Sequence, residues 1–231
     1  MRSRILLLAL TMLTVGCAAG NSGSQAEGER RSGPAPLLYI WAGDLDKNPN
    51  DSDFLAVLDS DPDSATYGEV LASEPVGAVG TNPHHTESSI PSGAAFFANG
   101  YDAGRTFLFD LTEPDRPHLS GELAPVPGLE FPHSFLRLEN NDLIATLQYG
   151  DGRIPGNPGG LARFDRDANL VSMTSAADPA FTGEQIRPYS IEAIPTLDRV
   201  ITTSRTMHIF REQAADVVQI WRLSDLALLR T

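Results

Sequence analysis

Phe107-Leu108-Phe109-Asp110 is an apolar run of strand character that stops on an acid. The same cadence returns at Leu55-Ala56-Val57-Leu58-Asp59 and at Ala162-Arg163-Phe164-Asp165. The three acids are 51 and 55 residues apart, and Ile220-Trp221-Arg222-Leu223-Ser224-Asp225 begins a fourth copy. A period of about 40 to 50 residues per four-stranded sheet is that of a β-propeller blade. Working outward, strand signals fill residues 37–41, 54–58, 95–98, 106–111, 143–148, 161–164, 199–203 and 217–223. Each is short, rich in β-branched or aromatic residues, and bounded by Gly, Pro, Asp or Asn. No long helical period accompanies them. The expected fold is all-β, a β-propeller of four-stranded blades, with a β-sandwich as the alternative of less modular strand spacing.

A second feature keeps the same phase. Pro83-His84-His85-Thr86-Glu87, Pro132-His133-Ser134-Phe135 and Pro188-Tyr189-Ser190-Ile191 lie 49 and 56 residues apart, each on the strand after a marker. That strand is the inner one of the next blade, so the three prolines are expected to begin inner strands. Residues there converge near the axis although far apart in sequence, which makes His84, His85 and His133 candidate metal ligands. Successive side chains of a regular strand point to opposite faces, so His84 and His85 share one ion only if the strand entry at Pro83 is irregular. A hydrogen-bonded pair at a turn is the other reading. Tyr189 takes the histidine position of the third segment, facing the channel or simply packing. Glu87 is either an acid that orients an imidazole or a solvated one. His118 falls in an outer turn, and His208 lies outside the Pro-His phase, as a substitute ligand at most. Gly150-Asp151-Gly152 and Gly156-Asn157-Pro158-Gly159-Gly160 read as turns, because a phosphate loop would need a following helix and a Lys-Ser/Thr.

The start of the chain has a different character. Arg2 and Arg4 precede an apolar run, residues 5–15, that is too short to span a bilayer and meets Gly16-Cys17. Residues 1–16 are expected to be a signal peptide. Residues 17–36, rich in Gly, Ser and Ala and ending Pro34-Ala35-Pro36, are expected to be a disordered tether, leaving 37–231 as a partial propeller domain. Leu13-Thr14-Val15-Gly16-Cys17 resembles the lipobox of bacterial lipoproteins. This implies lipidation at Cys17, export, and a periplasmic or membrane-anchored protein that touches the membrane only through its N-terminal lipid.

Cys17 is the sole cysteine, which excludes a disulfide, a thiolate nucleophile and a Cys-rich zinc site in the folded part. Any metal must be held by nitrogen and oxygen. The net charge of −13 becomes 15 basic against 30 acidic residues without the first 16, a surface that repels nucleic acid.

Tyr39-Ile40-Trp41-Ala42-Gly43-Asp44, the stretch from Phe54 through Asp61-Pro62, Pro83-His84-His85-Thr86-Glu87, Phe97-Ala98-Asn99-Gly100, Ala103-Gly104-Arg105-Thr106-Phe107 and Pro132-His133-Ser134-Phe135 together resemble the selenium-binding protein family, which includes bacterial methanethiol oxidases. The resemblance runs from about residue 38 to the end. It implies a seven-bladed propeller, about half of it present here, and copper bound by histidines near the axis. It also implies a small thiol as substrate: methanethiol, dioxygen and water giving formaldehyde, hydrogen sulfide and hydrogen peroxide. His84, His85 and His133 stand on the family's metal motif; its further histidine would lie beyond residue 231, and no cysteine is available to hold selenium as a thiolate adduct. The alternatives are a non-catalytic metal- or selenium-binding propeller lipoprotein and an inactive truncated member. An incomplete ring would have an open sheet edge prone to self-association and a site open to water that binds metal weakly.

Overall fold

The computed structural model describes residues 36–43, 51–153, 157–181, 185–207 and 214–231. The signal-peptide segment, Cys17, nearly all of the 17–36 tether, Asp44 and His208 lie outside the described residues. The chain builds successive antiparallel meanders of a β-propeller. Blade 1 is β1 (Leu37–Ala42), β2 (Phe54–Asp59) and β3 (Val70–Pro75). Blade 2 is β4 (Pro83–Thr86), β5 (Phe96–Gly100), β6 (Arg105–Asp110) and β7 (His118–Glu122). Blade 3 is β8 (Leu129–Arg137), β9 (Leu143–Gly150), β10 (Pro158–Phe164) and β11 (Leu170–Ser175). Blade 4 is β12 (Pro188–Ile194), β13 (Arg199–Ser204), β14 (Val218–Arg222) and β15 (Leu228–Arg230). In phase, blade 1 supplies the second, third and fourth strands of the pattern; among the described residues no strand stands in its first place.

The acidic marker has a local cause. Asp59, Asp110, Asp165 and Asp225 each accept, on Oδ1, the backbone N–H two residues ahead, at 2.9, 2.8, 2.9 and 3.0 Å, and so turn the chain from the third strand into the fourth. Hydrogen bonds from Ser64, Thr112, Asn169 and the Ala227 N–H, respectively, are the largest of the influences that lower these four carboxyl pKa values.

The middle strands are covered on both faces. Every residue of β5 and β9 is buried, which is why they read as apolar runs rather than alternations. Leu55, Phe96, Phe107 and Phe109 fill the space between blades 1 and 2. Phe97, Phe135, Ala145 and Phe164 fill that between blades 2 and 3, and Ile144, Leu161, Val200 and Trp221 that between blades 3 and 4. Fully burying one such side chain stabilises the fold by roughly 1.5–3 kcal/mol. The fourth strands β3, β7 and β11 alternate exposed and half-buried positions.

Three sequence expectations are corrected. Strand β8 begins at Leu129, three residues before Pro132. His118 opens β7 instead of sitting in a turn, exposed and 3.3 Å from Glu74. Gly159-Gly160 lies inside β10, because a Cβ at Gly159 would sit on the carbonyl oxygen of Leu147 and one at Gly160 on that of Thr174; these glycines permit close strand approach.

Candidate metal centre

The inner strands β4, β8 and β12 share one irregularity. Pro83 pairs with Gly100 and Thr86 with Ala98, so three steps on β4 oppose two on β5. Pro132 and Phe135 against Leu147 and Ala145 repeat this count, as do Pro188 and Ile191 against Ser204 and Thr202. The pair after each proline is thus a β-bulge: His84-His85, His133-Ser134 and Tyr189-Ser190. A bulge breaks the strict alternation of faces, which is the physical condition for adjacent histidines to point into one space. At the two histidine-bearing segments the backbone also turns sharply before the proline: Asn82 has φ 57° and Phe131 φ 59°. Asn tolerates this left-handed region, whereas for Phe it costs about 1–2 kcal/mol.

Strand β4 lies beside β8, and β8 beside β12. The candidate donor atoms of His84, His85 and His133 therefore lie within 4.8 Å of one another. His84 Nε2 is 3.1 Å from His133 Nε2, and ring centroids are 4.3 Å apart for His84–His85 and 4.4 Å for His85–His133. Imidazole nitrogens that bind a metal at about 2.0–2.1 Å must stand roughly 3–4 Å apart, so the arrangement fits one ion. Burial, followed by the neighbouring His84, depresses His85 to about 4. Burial, followed by repulsion from His85 and His84, depresses His133 to about 3. Both are neutral near pH 7 and need release no proton to bind a metal.

His133 is fixed from behind. Its Nδ1 lies 3.2 Å from the carbonyl oxygen of Tyr189 and 3.0 Å from Ser134 Oγ. A carbonyl only accepts, so this bond places the proton on Nδ1 and leaves the Nε2 lone pair toward the other histidines. The Tyr189 ring lies over His133 with centroids 3.9 Å apart. Tyr101, buried at 1% exposure, has its ring 5.6 Å from that of His84 and 5.7 Å from that of His133. Its hydroxyl donates to Gln148 Oε1, and burial raises its pKa. With Phe131, Tyr149 and Met207 it forms an apolar cluster beside the imidazoles.

Glu87 follows neither sequence reading. It neither touches an imidazole nor faces solvent, but forms a two-pronged ion pair with Arg137, Nε–Oε2 2.7 Å and Nη2–Oε1 2.5 Å, with side chains 1% and 5% exposed. It also accepts the Phe97 N–H at 2.9 Å, tying β4, β5 and β8 together. Burial pushes the Glu87 carboxyl up against the opposing pull of Arg137. Sequence reasoning passed over Asn99, Tyr101, Thr146 and Arg137 as parts of the site. Asn99 stood in a segment quoted for the family resemblance, and only its place opposite a bulge marks its role.

Fold and site together define a β-propeller whose inner strands gather three imidazoles, two of them held neutral by burial, at the junction of two blades. No protein-family model matches the chain. It is 28% identical over 178 residues to the methanethiol oxidase of Hyphomicrobium sp, covering 76% of this chain and 40% of that protein. It is 30% identical over 171 residues to selenium-binding protein 1 of Arabidopsis thaliana, covering 67% of this chain and 34% of that one. The X-ray structure of a hypothetical selenium-binding protein from Sulfolobus tokodaii matches with a TM-score of 0.66 at 15% identity, over 87% of this chain and 49% of that one, a likeness of fold. The chain is thus a relative of the selenium-binding proteins and methanethiol oxidases, and it spans about two fifths of the length of the methanethiol oxidases it matches.

Proposed function

We propose that this chain contributes the copper-binding blades of a small-thiol oxidase. The observation that carries the reading is the convergence of His84, His85 and His133, two of them held neutral, across the junction of blades 2 and 3. An all-imidazole donor set suits copper and other late first-row metals, and the relatives named methanethiol oxidase favour redox chemistry over a structural ion. Bound copper would offer a thiol sulfur a coordination position and carry electrons from it to dioxygen. The reaction proposed is methanethiol, dioxygen and water to formaldehyde, hydrogen sulfide and hydrogen peroxide. The carbon loses two electrons, dioxygen gains them as peroxide, and the C–S bond is replaced by C=O. The chain's own part is to keep His133 in its Nδ1–H tautomer through Tyr189. Tyr101, Phe131 and Tyr149 wall the cluster on one side and limit water there.

Selenium binding is the property named in the other relatives. A thiolate adduct has only Cys17 to form on, so the imidazole cluster favours the metal reading. We include in the proposal export and acylation at Cys17, which labelled palmitate incorporation into wild type but not into Cys17→Ser would support. The functional test is copper per chain and methanethiol-dependent oxygen uptake, on this chain and on a form extended to the relatives' length. Copper retained and oxygen consumed support the proposal; an extended form that takes up no oxygen, with copper bound, leaves a metal-binding protein and refutes the oxidase.

A further inference from the structure

Each bulge is answered by one side chain on the second strand of its blade. In blade 2 it is Asn99: Oδ1 accepts the His85 N–H at 2.6 Å. In blade 3 Thr146 Oγ1 accepts the Ser134 N–H at 3.0 Å, and in blade 4 Thr203 Oγ1 accepts the Ser190 N–H at 3.2 Å. The device also reaches forward. Thr146 donates to the Tyr189 carbonyl of the next bulge at 2.9 Å. Asn99 does more: Nδ2 donates to the carbonyl oxygens of both Pro132 and His133, at 2.8 and 2.9 Å.

We propose that Asn99 is the positioning residue of the imidazole cluster: a single buried carboxamide that sets the spacing of His85 and His133 across the blade junction, and with it the affinity and geometry with which the cluster takes a divalent, imidazole-preferring metal. The effect on metal rests on the function proposed above; the effect on histidine spacing does not. Three observations carry it. Asn99 is 0% exposed, so its amide has no solvent alternative to these bonds. All its side-chain partners are backbone groups of fixed polarity, one donor and two acceptors, so the orientation of the amide is determined by them. Its own carbonyl oxygen accepts the Trp41 indole N–H at 2.7 Å, and Trp41 packs on Phe107 and Phe109 with ring centroids 5.5 and 6.0 Å away, which anchors the clamp in the core between blades 1 and 2. A hydroxyl suffices at the His133-Ser134 and Tyr189-Ser190 bulges, where it accepts from the serine N–H. At the junction that joins the histidines an amide with two donors replaces it.

The test compares wild type, Asn99→Ala, Asn99→Thr and Val200→Ala, a destabilised control whose change lies in the core between blades 3 and 4. Cupric ion is titrated into each, the loaded proteins are examined by electron paramagnetic resonance, and melting temperatures are recorded. Asn99→Ala should bind copper about 10- to 100-fold more weakly, as for loss of groups that orient metal ligands, with an altered hyperfine pattern. Asn99→Thr, which keeps the acceptor and one donor, should recover most of both. Val200→Ala should melt earlier yet bind copper like wild type. A metal-free readout is the nitrogen–nitrogen coupling across the His84–His133 hydrogen bond in histidine-labelled protein, present in wild type and Asn99→Thr and lost in Asn99→Ala. If Asn99→Ala does not fold, Asn99→Val, which has the shape of threonine but neither acceptor nor donor, takes its place. Wild-type coupling and copper affinity in the folded variant overturn the proposal, as does a copper loss in Val200→Ala equal to that in Asn99→Ala. A wild type that binds no copper while the coupling follows the expected pattern defeats the metal reading and leaves the positioning role supported.

Discussion

The junction of blades 2 and 3 and that of blades 3 and 4 are built on one plan and differ in what they carry. Both join proline-led bulged inner strands, and in both a side chain from the earlier blade bonds the later bulge. The first brings together three histidines; the second sets Tyr189 against His133. The backbone irregularity that lets adjacent side chains share a space therefore belongs to the repeat, and the chemistry comes from residue choice within it. Two further differences mark the histidine-bearing segments. Asn82 and Phe131 hold left-handed backbone before their prolines. The buried Glu87–Arg137 pair spans the first junction, whereas Leu136, at the place of Glu87 in blade 3, is apolar.

The sharpest break in the comparison is His133→Ala. It removes the one imidazole that blade 3 supplies, so the two left both come from blade 2. Copper affinity should fall by at least about 100-fold, beyond the loss from an orienting group alone. Thiol-dependent oxygen uptake in the extended form should vanish with it. Tyr189→Phe should leave copper content near wild type, because it is the Tyr189 backbone carbonyl that meets His133. Metal analysis of both variants decides this, and undiminished copper in His133→Ala would sink the site.

Next in size is the buried ion pair. Arg137→Met leaves the Glu87 carboxyl enclosed with its cation gone and should destabilise the fold by about 3–5 kcal/mol, read by denaturant unfolding. The double variant Glu87→Leu with Arg137→Met should regain most of that loss. If it does not, the pair is worth more than the burial of its charges suggests, and its role in holding β4 to β8 is larger.

Much of this architecture was legible along the chain. Strands β2, β6 and β10 announced themselves because they are apolar on both faces and end on an acid whose turn is local. The fourth strands were not. Val70-Leu71-Ala72-Ser73-Glu74 and His118-Leu119-Ser120-Gly121-Glu122 alternate between half-buried and exposed positions, and such short polar mixtures read equally well as turns. His84, His85 and His133 were legible by phase. The bulge that unites them was not, because register is a property of two strands, nor was the Glu87–Arg137 pair, whose partners are 50 residues apart. Asn99 was hidden for the same reason: its three side-chain partners are backbone groups of two other strands.

A smaller effect tests the second junction alone. Thr146→Val keeps shape but removes the acceptor for the Ser134 N–H and the donor to Tyr189, at about 1–3 kcal/mol. Copper stoichiometry should hold, since all three imidazoles remain. A loss of metal as complete as in His133→Ala would mean that the two junctions are not separable and that the comparison fails.

The smallest expected effect concerns what all four blades share. Asp59, Asp110, Asp165 and Asp225 have their carboxyl pKa values lowered in the folded protein, so folding favours their ionised form. That contribution is present above the ordinary carboxylate range, about pH 4, and is lost as pH falls through the lower folded values. Replacing all four by Asn keeps an oxygen to accept the N–H two residues ahead and removes the charge. The variant should fold as the same meanders, and its stability should decline slightly less than that of wild type between about pH 4 and pH 2, because charges near the surface are largely screened. Urea unfolding at a series of pH values measures it. Parallel curves for the two proteins would mean that the acids shape the turns through geometry alone, and that their charge adds nothing to the repeat.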